Sequence, residues 1–350
     1  MQQALMALLF LWTLSMSGDR LNPSPAEAAS GPHRFSLVQW EIGNFPDKWV
    51  HMLGTRSLWL RRPEENRLRV VQEYFALAEE ARARSSEATA LAVRGERGTA
   101  KTQSVAEELA GLVRRQERLR PAVEEVLEEA ISAVVRELGL ASAGGFIFPP
   151  VDIRLTEPPK LLVTSPRDRI ERAGDLLLSP KVTIEQREAI EDALLDGGDV
   201  SALVTNLGGL ATYPAFVVND GSLRFALQLS AHEWLHHFLA FRPLGLNFNA
   251  NPDMLTLNET FADAAGREIG DMAYGLLGGR IDPPPETTAT EKEDDGPDAP
   301  DIFDFVREMR ETRLETDRLL AEGKVVEAEA YMEERRLLFL EHGYLIRKIN

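Results

Sequence analysis

The chain has 350 residues, but it contains no cysteine and only six histidines. The absence of cysteine excludes a disulfide framework, a thiolate metal site and a cysteine nucleophile. Basic residues are also few, and the formal net charge of −17 argues against a protein that wraps a nucleic-acid backbone. We therefore expect no nucleic-acid partner. Apolar residues make up 44% of the chain, which is typical of a globular protein.

The N-terminal apolar run, Ala4–Ser17, is shorter than the roughly 20 residues that a membrane-spanning helix needs. Its length is typical of the core of a signal peptide, and Ala26-Glu27-Ala28 matches a small-x-small cleavage pattern. No Lys or Arg precedes the run, and an N-terminal core helix is the alternative interpretation. We expect residues 1–30 to be a signal peptide or membrane anchor with a linker. The protein would then be exported, either secreted or membrane-anchored.

Helical periodicity dominates the next part of the chain, residues 31–140. Two long charged helices, from Pro63 to about Glu87 and from Ser104 to Leu140, are predicted to form an antiparallel hairpin. Pro121 should restart or kink the second helix. The hairpin could be a lobe packed on the rest of the protein or an element that gates a substrate, and the sequence leaves both open.

The pattern changes after residue 140, where glycine and proline appear and are followed by two short strand candidates, VDIRL and KLLVTSP. We predict a core over residues 141–281 with a small β-sheet and two helices. The acidic, proline-rich stretch 282–300 is predicted to be disordered, and residues 301–350 are predicted to be helical. The expected fold class is α+β and mostly helical, with a zincin-like catalytic core.

Three of the six histidines lie within the hexapeptide HEWLHH, residues 232–237. Residues four apart lie on the same face of a helix, so His232 and His236 can offer two imidazole nitrogens to one zinc ion. Glu233 would then act as the general base. His237 points about 100° away from His236 around the helix, and we assign it to packing or to a hydrogen bond behind the ligands.

A second constellation follows in LNETFADAAGREIG, which contains Asn258, Glu259 and Asp263. Zinc bound by two histidines needs a third protein ligand and one open position, and Glu259 can supply that ligand. Asp263, one turn later, could accept the remaining ring N–H of a ligating histidine, most plausibly His232. The neighbouring apolar residues predict a buried helix, on which unpaired carboxylates would be costly. An ordinary acidic helix face is the alternative.

The pair of motifs, HEWLHH and then NETFAD, resembles the gluzincin superfamily of zinc metallopeptidases, which includes thermolysin-like and aminopeptidase-N-like enzymes. The resemblance covers about residues 200–270. It implies one zinc ion per chain and a peptide or protein substrate. By motif, the zinc ligands are His232, His236 and Glu259, and the general base is Glu233. The residues that would support the ligands by contacts outside the metal's own coordination are Asp263 and Asn258.

The resemblance also implies two further features of the site. Gluzincins keep a substrate-pairing edge strand before the zinc helix, and they usually have a downstream tyrosine or histidine that donates a hydrogen bond to the oxyanion. The candidates for the edge strand are Gly209, Leu210, Ala211, Thr212 and Tyr213, although an ordinary strand explains them equally well. The candidates for the oxyanion donor are Tyr331, His342 and Tyr344.

Related families fit the sequence less well. Leu239 and Arg242 stand where the metzincin extension requires a glycine and a third histidine. No motif of the type that binds a free substrate N-terminus is present. We predict a zinc-dependent peptidase. Two alternatives are a catalytically inactive zinc-binding module and a structural, membrane-associated helical protein without metal. The substrate, endo- or exo-action and the oligomeric state stay open.

Overall fold

The computed structural model describes residues 23–41, 43, 64–93, 99–142, 144–198, 200–219, 221–248, 250–281, 303–344 and 346–349. The apolar run Ala4–Ser17 and the acidic stretch 282–300 lie outside these residues, and so do the predictions made for them. None of the described helices is both long enough and apolar enough to cross a membrane.

The described residues fall into two compact units. The first unit is drawn from residues 1–36, 159–206 and 283–350, and the second unit from residues 37–158 and 207–282. Residues 159–206, which the sequence places inside the predicted 141–281 core, therefore cluster with the C-terminal helices instead. In the part of the chain that the structure describes, they form a three-stranded sheet of their own.

The second unit begins with a helical hairpin of α2 (Glu64–Val93) and α3 (Ala100–Glu137). Cross-helix ion pairs show that the two helices run antiparallel. Arg67 near the start of α2 pairs with Glu129 near the end of α3, and Arg84 later in α2 pairs with the earlier Glu108. Helix α3 continues through Pro121 without a break.

A three-stranded sheet follows in the second unit, in the order β1 (Ile153–Leu155), β6 (Ala215–Val217) and β5 (Gly209–Leu210). Strand β1 is parallel to β6, and β5 is antiparallel to β6. Helix α3 covers the outer edge of β1, because Glu128 accepts the N–H of Ile153 at 2.9 Å and Glu124 accepts that of Leu155 at 2.8 Å. The other edge strand of this sheet is β5.

Three helices complete the second unit: α5 (Leu223–Leu239), the short α6 (Pro243–Leu246) and α7 (Pro252–Leu276). The core lies between α3, the sheet, α5 and α7. Its largest fully buried side chains include Trp234 and Leu235 of α5. The described residues at 37–41 also pack here, where the Trp40 ring stacks on the Phe216 ring with centroids 4.0 Å apart.

The first unit contains an antiparallel sheet in the order β3 (Gly174–Leu178), β2 (Lys160–Pro166) and β4 (Val200–Asn206). Helix α4 (Ile184–Gly198) packs on β4, and the C-terminal helices α8 (Phe305–Ala321) and α9 (Val325–Glu341) pack on each other. Helix α1 (Pro25–Ser30) also belongs to this unit and is followed by a 3₁₀ turn, Gly31–His33.

Helix α1 lies in residues 1–30, which the sequence predicts to be a signal peptide or membrane anchor with a linker, and it shows that residues 25–30 are helical and not part of an irregular linker. Ser24 Oγ accepts the N–H of Glu27, and the Glu27 carboxylate accepts the N–H of Ser24 at 3.0 Å. This reciprocal capping box satisfies two backbone donors at the helix start, and Pro25 sets the backbone angle of the first turn. The prediction overlooked this signal because small and proline residues dominate the stretch.

The fold class is α+β and mostly helical, as predicted, with small sheets. The predicted helical hairpin is present, and the strand candidates at VDIRL and KLLVTSP contain β1 and β2. Strand β3 has no counterpart among the predicted elements. Its residues, GDLLL, begin with two poor strand formers and contain no β-branched side chain. Pairing with β2 and an antiparallel bridge between Leu178 and Arg34 stabilise the extended conformation instead.

Candidate metal centre

Helix α5 carries HEWLHH and has a well-defined start. Ser222 caps it, because its Oγ accepts the N–H of Phe225. Trp234 fixes the middle of the helix, since its ring is 1% exposed and its Nε1 donates to the carbonyl of Pro149 at 2.9 Å. With this face buried, the histidines at 232 and 236 lie one turn apart on another face, at 19% and 15% side-chain exposure.

Helix α7 carries NETFAD and packs closely on α5. It begins at Asn251, whose Oδ1 accepts the N–H of Met254 at 2.9 Å. At Gly266, a Cβ would lie 2.9 Å from the Cα of His232, and at Gly270 a Cβ would collide with the backbone of Gln228. The two glycines therefore allow a backbone approach that larger residues would prevent, and this approach brings Glu259 to the histidines.

The side chains of His232, His236 and Glu259 converge at one point. The two Nε2 atoms are 3.1 Å apart. The Glu259 Oε2 atom lies 3.7 Å from Nε2 of His232 and 3.6 Å from Nε2 of His236. Two imidazole nitrogens and one carboxylate oxygen form a donor set that could hold a metal ion, and we call these three residues the triad.

Asn258 orients one of the triad histidines. Its Oδ1 lies 2.9 Å from Nδ1 of His236, and its side chain is buried. Because an amide oxygen only accepts hydrogen bonds, this contact places the proton of His236 on Nδ1 and leaves the lone pair of Nε2 facing the other triad atoms. The residue directly before Glu259 thus prepares His236 for a ligand.

Asp263 lies on the side of His232 that the sequence predicts, but its contact is longer. Its Oδ1 is 3.8 Å from Nδ1 of His232, beyond hydrogen-bonding distance, and its other oxygen pairs with Arg267 one turn later. Asp263 can therefore act on His232 through charge more than through a hydrogen bond. The predicted role as a ring N–H acceptor stays a prediction.

The carboxylates of α7 are more exposed than the sequence indicates. The Glu259 side chain is 48% exposed and that of Asp263 is 55% exposed. Burial of this helix was expected because of its apolar residues, but only the stripe that faces the rest of the core is buried, and Phe261 is 43% exposed. The prediction that Glu259 and Asp263 are buried is therefore wrong. Their exposure opens the triad to solvent.

The charges of the triad shift one another. Burial and the nearby His236 lower the pKa of His232. Burial also opposes protonation of His236, but the contacts with Glu259 outweigh it, and the pKa of His236 is raised. The same contact with His236 holds the pKa of Glu259 below its usual value. The carboxylate of Glu259 is therefore ionised near neutral pH.

Glu233 is buried beside the triad, with 5% of the residue exposed. Burial raises its pKa to about 8, with a further contribution from Glu259, while His236 opposes the shift. The carboxylate lies against Gly209 of β5, where an added Cβ would be 2.8 Å from Cδ of Glu233 and would collide with Oε1. The backbone of the edge strand thus passes directly over the carboxylate.

The predicted edge strand is shorter than five residues. Only Gly209 and Leu210 form β5, and the chain then turns, with the N–H of Thr212 donating to the carbonyl of Leu210 at 2.8 Å. The Thr212 Oγ1 donates to the carbonyl of Pro214 at 2.7 Å. Ala211 and Tyr213 therefore belong to the turn between β5 and β6.

His237 packs away from the triad, in agreement with its position on the helix. Its ring meets the ring of Tyr213 edge-on, with centroids 5.7 Å apart. Burial lowers its pKa, and the nearby carbonyls of Ala211 and Thr212 oppose the shift. Among the described residues, neither ring nitrogen has a partner at hydrogen-bonding geometry. His237 thus packs α5 against the turn that follows the edge strand.

The three predicted oxyanion donors lie in the first unit, whereas the triad lies in the second. Tyr331 is on α9 and packs on the cluster of Leu319, Leu320 and Ala328. His342 stacks on Phe303 with centroids 4.0 Å apart, and Tyr344 packs on Phe305 at 4.6 Å. Their assignment as oxyanion donors stays a prediction.

Sequence reasoning missed the glycines that position the site. Gly266 and Gly270 are four residues apart, a spacing that indicates close helix packing, and this signal was present in the sequence. The contact of Gly209 with Glu233 joins residues distant in sequence, so no local pattern could have shown it.

The chain matches no family model, no curated protein and no solved structure. The two motifs and the geometry of the second unit are therefore the basis for any assignment of function.

Proposed function

We propose that this chain is a zinc-dependent peptidase of gluzincin type. The observation that carries the proposal is the convergence of His232, His236 and Glu259 with Glu233 beside them. Donor atoms about 2.1 Å from a tetrahedral zinc ion lie about 3.4 Å from one another. The three separations of 3.1, 3.6 and 3.7 Å agree with this value.

The kind of donor also supports zinc. Two neutral imidazoles and one carboxylate are a ligand set found in catalytic zinc sites, in which three protein ligands leave one position open. The contact of Asn258 with Nδ1 of His236 directs Nε2 toward the ion. A half-exposed Glu259 is consistent with a site that substrate can reach.

Zinc held by the triad would polarise the scissile carbonyl and lower the pKa of water at the open position. Glu233 supplies the proton transfer, because its carboxylate is unpaired by any lysine or arginine among the described residues and lies next to the triad. A pKa of about 8 leaves Glu233 mostly protonated near neutral pH, and the positive charge of a zinc ion in the triad would lower this pKa. The carboxylate would then accept a proton from the attacking water and donate it to the leaving amine. Burial within the helix bundle keeps this carboxylate in one position.

The edge strand β5 is the proposed place for the substrate backbone. An extended peptide can add to a sheet edge by main-chain hydrogen bonds. Glu124 and Glu128 already occupy the outer edge of β1, so β5 is the edge that remains on this sheet. A peptide paired with Gly209 and Leu210 would pass next to the Glu233 carboxylate.

A zinc-binding module without peptidase activity is the second candidate. One observation favours it: burial raises the pKa of Glu233, the proposed base, to about 8, so this residue carries a proton near neutral pH unless a bound cation lowers its pKa. A protonated carboxyl group cannot take the proton of the attacking water.

Metal content of the purified full-length protein, measured by mass spectrometry, tests both candidates. We expect about one zinc ion per chain in the wild type, in Glu233→Gln and in the control His33→Ala, whose histidine lies in the first unit. His236→Ala should contain almost none. Zinc-loaded wild type is then screened against fluorogenic peptide libraries, with Glu233→Gln as the inactive control.

Each outcome selects one function. Zinc together with cleavage that Glu233→Gln abolishes supports the peptidase. Zinc without cleavage favours the inactive module. A wild type that takes up no zinc, even from added salt, removes both and leaves a structural helical protein.

A further inference from the structure

Two stretches of the second unit are almost free of charge. Residues 138–151 contain no charged side chain, and residues 240–252 contain one, Arg242, although 27% of the whole chain is charged. The stretches nevertheless expose large apolar side chains. Phe146 is 60% exposed, Phe148 54%, Phe241 62% and Leu246 73%. Exposed apolar side chains concentrated in this way indicate a surface that contacts a partner.

The fold holds these side chains in place. Ile147 is 6% exposed and anchors the first stretch in the core, so Phe146 and Phe148 on either side of it point outward. The rings of Phe148 and Phe241 have centroids 5.2 Å apart, which joins the two stretches in one surface. Gly245 lies so close to the carbonyl of Leu239 that a side chain at this position would collide with it. The chain therefore packs α6 closely against the end of α5.

We propose that Phe146, Phe148, Phe241 and Leu246 form a lipid-contact patch that docks the second unit on an anionic bilayer surface. Aromatic and aliphatic side chains on a surface with little charge can enter the boundary between headgroups and acyl chains. Several apolar side chains acting together are needed, because a single one contributes too little.

The charge distribution favours lipid as the occupant. A chain with a net charge of −17 is repelled by an anionic membrane, so it can approach only with a face that lacks acidic side chains. The patch is such a face, although Glu137, Asp152 and Asp253 border the two stretches in sequence. Arg136 donates to the carbonyl of Gly145 at 3.2 Å, which places a cation beside the patch.

Arg242 is a second cation at the same place. Its guanidinium lies 3.2 Å from the centroid of the Phe238 ring and donates to the Phe238 carbonyl at 2.5 Å. Each arginine near an anionic surface strengthens binding about five-fold. The apolar run Ala4–Ser17, if it is the export or anchoring segment that the sequence predicts, would independently bring the chain to a membrane.

Docking would place the triad near the bilayer. Residues 240–252 connect α5 to α7, the two helices that carry the triad, and the Phe248 ring lies 6.3 Å from the His236 ring. The proposal does not depend on zinc or on peptidase activity, because none of the four patch side chains belongs to the triad.

Site-specific fluorescence on the full-length protein tests the patch. The chain has no cysteine, so Leu246→Cys gives a unique site for an environment-sensitive dye. Val326→Cys on α9, where the residue is 71% exposed, is the matched control in the first unit. Both proteins are mixed with vesicles of phosphatidylcholine, with or without phosphatidylglycerol, and with brominated lipids as quenchers.

We expect a blue shift and quenching at position 246, stronger with phosphatidylglycerol, and neither at position 326. In the Leu246→Cys background, Phe146→Ser/Phe148→Ser/Phe241→Ser should reduce lipid binding at the dye more than about ten-fold, whereas Leu314→Ser should not. Because the dye reports one position, an anchored N-terminus does not mimic this result.

Three results would overturn the proposal. The first is an unchanged dye at position 246 with every vesicle. The second is quenching at both dye positions, which would mean unspecific adsorption. The third is a blue shift that depends on protein concentration and needs no vesicles, which would assign the patch to a second copy of the chain.

Discussion

Two buried glutamates, one in each unit, differ in what surrounds them. Glu191 of the first unit is 1% exposed and Glu233 of the second is 5% exposed. Burial alone would raise the pKa of Glu191, but hydrogen bonds from Arg347, the Val204 N–H and Lys348 outweigh it, and the pKa is lowered. For Glu233, burial is the largest effect and raises the pKa to about 8.

The difference separates a structural carboxylate from a reactive one. Arg347 binds both oxygens of Glu191, at 2.5 and 2.6 Å, so this side chain ties the C-terminal segment to α4 and has no capacity left for chemistry. Among the described residues, no lysine or arginine pairs with the carboxylate of Glu233, which interacts with His236 and lies against the edge strand. A buried carboxylate without a cationic partner is unfavourable for stability and is typical of a functional site.

The largest expected effect is on catalysis. Glu233→Gln keeps the shape of the side chain but removes the proton acceptor, so peptidase activity should fall by about 10²–10⁴-fold while zinc content stays the same. Steady-state cleavage of a fluorogenic peptide and metal analysis measure the two quantities. Glu191→Gln is the matched control and should keep normal activity per folded molecule. Full activity in Glu233→Gln would mean that another group takes the proton.

The contact between Gly209 and Glu233 sharpens the comparison, because the edge strand only packs against this carboxylate, whereas the N–H of Val204 donates a hydrogen bond to Glu191 at 2.6 Å. In Gly209→Ala, the new methyl group would overlap the carboxylate, so either the strand or Glu233 must move. A shift of about 1 Å can reduce activity about 100-fold. Gly208→Ala is the control, since its methyl group would lie 3.8 Å from Leu229 in ordinary contact. Equal kcat/KM values for the two variants would contradict the predicted contact.

For the stability of the fold, we expect Glu191 to matter more than Glu233, which is the reverse of the expectation for activity. Glu191→Gln leaves two cations facing a neutral side chain and should lower the free energy of unfolding by about 2 kcal/mol, a value reduced because Arg347 and Lys348 are partly exposed. Urea denaturation measures this change. Asp192→Asn, on the same helix with a side chain 67% exposed, is the control and should change stability little.

The pH dependence of the stability difference between wild type and Glu191→Gln follows from the direction in which folding shifts the pKa of Glu191. The folded-state pKa of Glu191 lies below its ordinary value of 4.5, so its stabilisation is present above pH 4.5 and is lost as the pH falls through the folded-state pKa. The gap in unfolding free energy between wild type and Glu191→Gln should therefore stay constant from about pH 7 to about pH 5 and shrink at lower pH. A gap that widens on acidification would contradict the assignment.

The local part of the site could be predicted from the sequence, and the long-range part could not. Helix periodicity alone places His232 and His236 on one face, and the structure places them together. The same reasoning cannot decide whether Asn258 or Asp263 supports a histidine, because Asn258 directly precedes Glu259 and Asp263 follows it by one helical turn, so both lie beside the ligand on the helix. That choice depends on how α7 packs against α5.

The fold shows the same limit. The strand candidates at VDIRL and KLLVTSP were visible because apolar and β-branched residues mark them, whereas β3 depends on its pairing with β2. Helix α1 had a local signal, the capping box at Ser24 and Glu27, that compositional reading as a linker obscured. The division into two units depends on which strands pair, and no local pattern encodes it.

The smallest expected effect tests how Glu259 reaches the histidines that neighbour Glu233. Gly266→Ala would place a methyl group 2.9 Å from the backbone of His232, so α7 must move outward, and overpacking should cost about 1.5 kcal/mol of stability and weaken zinc binding. Gly275→Ala on the same helix meets no atom within 4 Å and should instead stabilise the protein by up to about 1 kcal/mol. Thermal denaturation and competition with a chelator compare the two variants. If Gly266→Ala bound zinc as tightly as Gly275→Ala, close packing of α5 and α7 would not be what brings Glu259 into the triad.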